Sequence, residues 1–270
     1  MLEEYSRERL VPETARPAAV RSVVSKVPEV TALFWIIKVL TTGMGETTSD
    51  YLAHTLDPVI AVGIGAACFA AALVLQFAVK RHIPWVYWLA VSMVSVFGTM
   101  AADVLHVGLG IPYLVSSIFY AAVLAAVFIL WQRTEKTLSI HSIHTPRREM
   151  FYWAAVLATF ALGTAAGDLT AVTLKLGYLG SGVLFAAAIG VPALAYWKFG
   201  LKAIPAFWAA YVITRPLGAS FADWMGVSHA RGGLDWGTGT VSIGWAVAIA
   251  VLVAVLALRQ RNQATPRVSA

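Results

Sequence analysis

The sequence predicts an all-α integral membrane protein of eight transmembrane helices. They are expected as four parallel helical hairpins in a pseudo-fourfold arrangement, with N and C termini cytoplasmic. Three observations carry this. Of 270 residues, 59% are hydrophobic and 13% charged, with mean hydropathy +0.73, where a soluble domain carries about a quarter charged residues. A tryptophan–aspartate spacing occurs four times. Lys and Arg collect in alternate connections between apolar runs.

Residues 1–30 lack an apolar core followed by a small-residue cleavage site, so they are expected to stay as a cytoplasmic tail. The repeats begin at residue 31. Trp35 and Asp50, Trp88 and Asp103, Trp153 and Asp168, and Trp208 and Asp223 are each 15 residues apart. Each aspartate has a glycine five positions before it (Gly45, Gly98, Gly163, Gly218), and an aromatic residue precedes each tryptophan. Self-similarity at this spacing marks internal repeats, about 31–80, 84–132, 149–198 and 204–259. Together they make a transmembrane domain over 31–260, leaving 261–270 as a C-terminal tail.

Each repeat holds two apolar stretches of bilayer length. The first carries the motif, at about 33–54, 86–107, 151–174 and 206–227. The second is plainer, at about 58–79, 112–131, 179–197 and 239–258. Motif helices, rich in Gly, Thr, Ser and Asp, are expected to face inward. The plainer helices are expected to form the lipid-facing wall, with Gly63, Gly65 and Ala67 allowing close contact. Pro216 is expected to kink or break the seventh helix.

Orientation follows from the bases. Arg7, Arg9, Arg16, Arg21, Lys26, Lys80, Arg81, Arg133, Lys136, Arg147, Arg148, Lys198, Lys202, Arg259, Arg261 and Arg267 fall on one side, and only Lys175 and Arg231 lie in the hairpin tips. The positive-inside rule puts the first set, and both termini, in the cytoplasm. Every hairpin then enters from the same side, so the repeats are parallel about an axis along the membrane normal. The net charge of +6 is thus topological, and no nucleic-acid partner is expected. The single Cys68 excludes an intramolecular disulfide.

If the tryptophans mark the cytoplasmic interface, 15 residues of helix place the aspartates about 22 Å deeper, in the outer third of the bilayer. Lipid contact is costly there, so Glu46, Asp50, Asp103, Asp168 and Asp223 are expected to converge inside the bundle. Lys38 and Arg215 are the only bases well inside a span, and they offset at most two of these five. The surplus asks for protons or a cation. Thr41, Thr42, Thr47, Thr48, Ser49, Thr99, Thr164 and Ser220 add hard oxygen donors suited to Mn, Mg or Ca. His54 and His106 follow their aspartates at helical offsets and are further candidate ligands, whereas His229 breaks the spacing. A plainer reading stands beside this one: the acids serve as hydrogen-bonding glue between helices, with Lys38 and Arg215 as their partners.

The strings "KVPEVT" (26–31), "FWIIKVLTTGMGETTSD" (34–50), "FYW" (151–153), "GTAAGD" (163–168), "FWAAYVITRPLGASFAD" (207–223) and "GGLDWGTG" (232–239) resemble a bacterial family of multi-pass proteins labelled membrane-anchored proteins. The resemblance covers about residues 26–245. Lys38, Gly45, Glu46, Arg215, Pro216 and Gly218 match its pattern; "GTAAGD" departs mildly from the more usual "GTALGD". It implies the topology and a bacterial inner-membrane location, rather than an activity.

The functional expectation is a transporter of a divalent cation, manganese-like and proton-coupled, using Glu46, Asp50, Asp103, Asp168 and Asp223. Lys38, Arg215, Thr42, Thr47, Thr99 and Thr164 are expected to support the site. The alternatives are a carrier of a small anionic or zwitterionic solute held by Lys38 and Arg215, and a non-transport membrane scaffold. No HExxH, GxSxG or G-x-G-D string is present, so no enzyme is expected. No cofactor is expected beyond a bound divalent cation, and the partners are lipid and the transported solute.

Overall fold

In the computed structural model, residues 25–264 are described; the expectations for residues 1–24 and 265–270, including Arg7, Arg9, Arg16, Arg21 and Arg267, lie outside the described residues. Every regular element among the described residues is helical. Helix α1 spans Ala32–Thr55, and the Thr31 side chain accepts a hydrogen bond from the Phe34 N–H at its start. Helix α2 (Pro58–Ala78) begins with Asp57 accepting from the Val59 and Ile60 N–H groups, and Pro58 needs no donor there. Helix α3 (Pro84–Asp103) continues as a π turn, Val104–Gly108. Helix α4 is Tyr113–Glu135, and α5 (Pro146–Asp168) likewise ends in a π turn, Leu169–Thr173.

The third hairpin departs from expectation. Its second span is interrupted at Ile189, giving α6 (Gly177–Ala188) and α7 (Gly190–Phe199). Pro192 has no N–H to offer the Ala188 carbonyl four residues back, which accounts for the break. Helix α8 (Ala203–Gly226), by contrast, runs unbroken through Pro216. The Pro216 ring sits against Gly163 and Gly167 of α5, the kind of neighbouring-helix packing that lets a membrane helix tolerate proline. Helix α9 spans Thr238–Ala264 and continues past the expected start of the C-terminal tail.

The four motif helices form a closed ring: α1 packs on α3, α3 on α5, α5 on α8, and α8 on α1. Each plainer helix lies mainly against the motif helix of the following repeat. Thus α2 packs on α3, α4 on α5, α6 on α8, and α9 returns to α1. The last hairpin therefore closes onto the first. Six helices are long and apolar enough to cross a bilayer, and the chain is a multi-pass membrane protein built on four internal repeats. Over half of the apolar windows of α3 and α5 is buried, against under a third for α2, α4, α6–α7 and α9. That is the expected division between core and wall. Of the small residues singled out on α2, Gly65 does meet a neighbour, Met100 of α3, but Gly63 and Ala67 face outward.

Glycine spacing explains the tight ring. A methyl group on Gly45 would lie 2.8 Å from the Ser95 carbonyl carbon, on Gly98 2.6 Å from Phe160 Cβ, on Gly163 2.6 Å from Arg215 Cβ, and on Gly218 2.9 Å from Thr42 Cβ. Each glycine thus receives the residue seven positions after the next repeat's tryptophan. These are the small-residue contacts through which membrane helices approach closely.

Candidate functional site

The ring encloses a stack of four layers. At the tail end lies an aromatic floor. Phe34 meets Trp88 (5.6 Å between ring centres), Tyr87 meets Trp153 (5.8 Å), Tyr152 meets Trp208 (6.2 Å) and Phe207 meets Trp35 (5.5 Å). The aromatic residue of each pair therefore packs at a tilt against the next repeat's tryptophan, and the fourth closes on the first. Trp88, Trp153 and Trp208 are buried within the bundle rather than turned outward. The Tyr87 and Tyr152 hydroxyls are 2.5 Å apart within the floor.

Above the floor lies Lys38, fully buried, with its Nζ 4.3 Å from the ring centres of both Phe160 and Tyr211 and without a hydrogen-bond acceptor. The expectation that it neutralises an acid is not met. The aromatic faces supply the attraction instead.

The third layer is Arg215. Its Nη2 donates to Glu46 Oε2 at 2.6 Å, to Thr164 Oγ1 at 2.7 Å and to Thr99 Oγ1. Glu46, Thr99 and Thr164 each lie eleven positions after their repeat's tryptophan. One guanidinium nitrogen thus collects the equivalent oxygens of three repeats, while the fourth equivalent, Ala219, has none to give. Arg215 Nε and Nη1 are buried without acceptors. Thr42 and Thr47 do not join the site. Their hydroxyls donate to backbone carbonyls, Thr42 to Val39 and Thr214, and Thr47 to Gly43 and Met44.

The aspartates form the mouth at the opposite end from the floor. His106 Nε2 lies 2.9 Å from Asp103 Oδ1 and 3.4 Å from Asp168 Oδ2, and one ligand atom from each of the three residues lies within 4.8 Å of the others. The π turn after Asp103 sets His106 inward, buried between exposed Val104 and Val107, with Tyr113 against its ring at 4.7 Å. Such turns are enriched at functional sites. Asp50 lies within electrostatic range of Asp103, Asp168 and Asp223, and all four aspartates feel Glu46. Asp223 Oδ1 is buried without a partner. His54 is exposed and its Nδ1 meets the Asp50 backbone carbonyl at 2.6 Å, so it caps its own helix instead of joining the carboxylates. His229 lies on the surface near Asp235.

Sequence reasoning missed several participants. Phe160 and Tyr211 enclose Lys38, and Arg231 of the last tip reaches over the mouth, donating to the Tyr178 hydroxyl at 2.5 Å and attracting Asp50 and Asp223. Aligning the repeats on their tryptophans offers the missing signal, because Lys38 and Tyr211 both stand three positions after one.

A family model described as a repeat of unknown function, DUF347, matches the chain four times, at residues 33–82, 86–137, 151–200 and 206–262. No curated protein and no solved structure matches.

Proposed function

The chain belongs to the DUF347 repeat family, and from the geometry of its site we propose that it is a proton-coupled carrier of a divalent, manganese-like cation. All eight long segments would cross the bacterial inner membrane. Both termini would be cytoplasmic, with Lys80, Arg81, Lys198, Lys202 and Arg259 on that side and Lys175 and Arg231 opposite.

One observation carries the reading. Asp103, His106 and Asp168 bring their ligand atoms together at the end of the axis opposite the floor, with the unpartnered Asp223 oxygen and Asp50 beside them. A set of carboxylates with one imidazole suits a first-row transition ion better than Mg or Ca. Glu46 belongs to the closure. Paired with Arg215, it holds a guanidinium across the axis beneath the ions' entry point. Transport then requires Arg215 to leave the three oxygens it bridges, which gives the pathway a barrier between mouth and floor.

The test is metal flux in cells. Asp103→Asn and Asp168→Asn should each abolish manganese tolerance or flux at unchanged protein abundance, and normal flux in both would end this reading. A second reading, a carrier of a small anionic solute, draws on the buried donors of Lys38 and Arg215 that have no acceptor. It predicts a solute-dependent thermal shift that Lys38→Met removes.

A further inference from the structure

Among the described residues, Lys38 is the one buried base that the acids do not use. Its Nζ has no acceptor; helix α8 presents Arg215 and Tyr211 to it, and the titratable groups that α3 and α5 bring to the floor are Tyr87 and Tyr152. Helix α5 contributes the Phe160 ring. Helices α3 and α9 carry no charged residue between 85 and 102 or between 238 and 258.

Groups with exchangeable protons are spaced between the tail end and this amine, with Tyr87 and Tyr152 as the hydrogen-bonded pair among them. A cavity of about 610 Å³ opens there, lined by His82 with Glu29, His141 and Arg259. The His82 ring lies edge-on to Tyr87 at 5.7 Å, and its Nε2 is buried without a partner. The Tyr87 hydroxyl meets that of Tyr152. Tyr211 adds a third hydroxyl beside Tyr152, without a well-directed hydrogen bond. Its ring in turn supports Lys38. These phenols supply hydroxyls through a floor otherwise made of rings.

We propose that Lys38 is a proton-binding site, reached from the tail-side cavity through His82, Tyr87, Tyr152 and Tyr211. Each hydroxyl accepts a proton on its oxygen and releases its own to the next group, so no net charge stays on the phenols. The chain ends when the Lys38 amine becomes an ammonium. Held by ring faces alone, that ammonium is exchangeable, and the flexible four-carbon stem lets it turn toward the Tyr211 hydroxyl. The site's use as the coupling step rests on the cation-carrier reading; its existence as a proton site does not.

The experiment is a pH jump on purified protein in lipid nanodiscs without metal, with proton uptake followed by an indicator dye. The wild type should take up about one proton more per molecule than Lys38→Met. Tyr152→Phe, which keeps every ring contact, should take up the same amount roughly tenfold more slowly. Equal uptake by Lys38→Met, or an unchanged rate in Tyr152→Phe, would overturn the proposal. Because no metal is present, this outcome is independent of the flux test on Asp103 and Asp168. Loss of manganese transport alone removes the coupling role and leaves the proton site standing.

Discussion

Arg215 shows how a repeated sequence becomes an asymmetric machine. Three repeats offer oxygen at one register position, and the fourth supplies the guanidinium that collects them. Glu46→Ala should therefore cost about 3–5 kcal/mol, since it strands a buried charge. Thr99→Val should cost only about 1 kcal/mol, the net worth of one hydrogen bond. Thermal inactivation in detergent separates the two. At the tail end, burial pushes His82 from its ordinary 6.5 down to about 4. A depressed histidine favours the fold only while both states are neutral. Stability should thus fall as pH drops from about 6.5 towards about 4, and His82→Gln should flatten that part of the profile. The acids were legible in the sequence because charge in an apolar run is rare. The partners of Lys38 were not, since Phe160 and Tyr211 look like ordinary core residues until the ring of helices brings them together.

At the scale of the element, the glycine five residues before each aspartate sets how closely the helices approach. Gly163→Ala should destabilise by about 1–3 kcal/mol through overpacking, because its methyl meets the Arg215 stem where it leaves α8. Gly63→Ala, with open space around it, should be neutral or slightly stabilising by helix propensity. Equal melting temperatures for the two variants would contradict this assignment of the close contacts. The four repeats were readable from the tryptophan spacing, and six of the expected spans from hydropathy. The π turns after Asp103 and Asp168 were not, because one extra residue per turn leaves no mark on an apolar pattern. Proline alone did not locate the interruption: α8 runs unbroken through Pro216, while the break came upstream of Pro192, at Ile189.

Seen as a whole, the molecule polarises its axis, with aromatic closure and bases toward the tails and carboxylates toward the tips. With Cys68→Ala as background, single cysteines at Lys80 and Lys175 should react with a membrane-impermeant thiol reagent from opposite faces of right-side-out vesicles. Labelling of both from one face would contradict the parallel-hairpin topology. Ring closure was foreseen only as the simplest arrangement of four parallel units. What makes it close is the handing of each aromatic residue to the next tryptophan, a contact between segments 54 to 172 residues apart that local pattern does not encode. The most direct test of the account is calorimetry of purified protein with manganese chloride at neutral pH. The wild type should bind about one ion per chain, with binding lost in the Asp103→Asn, Asp168→Asn double variant at unchanged melting temperature; no binding by the wild type, or equal affinity in the double variant, would contradict it.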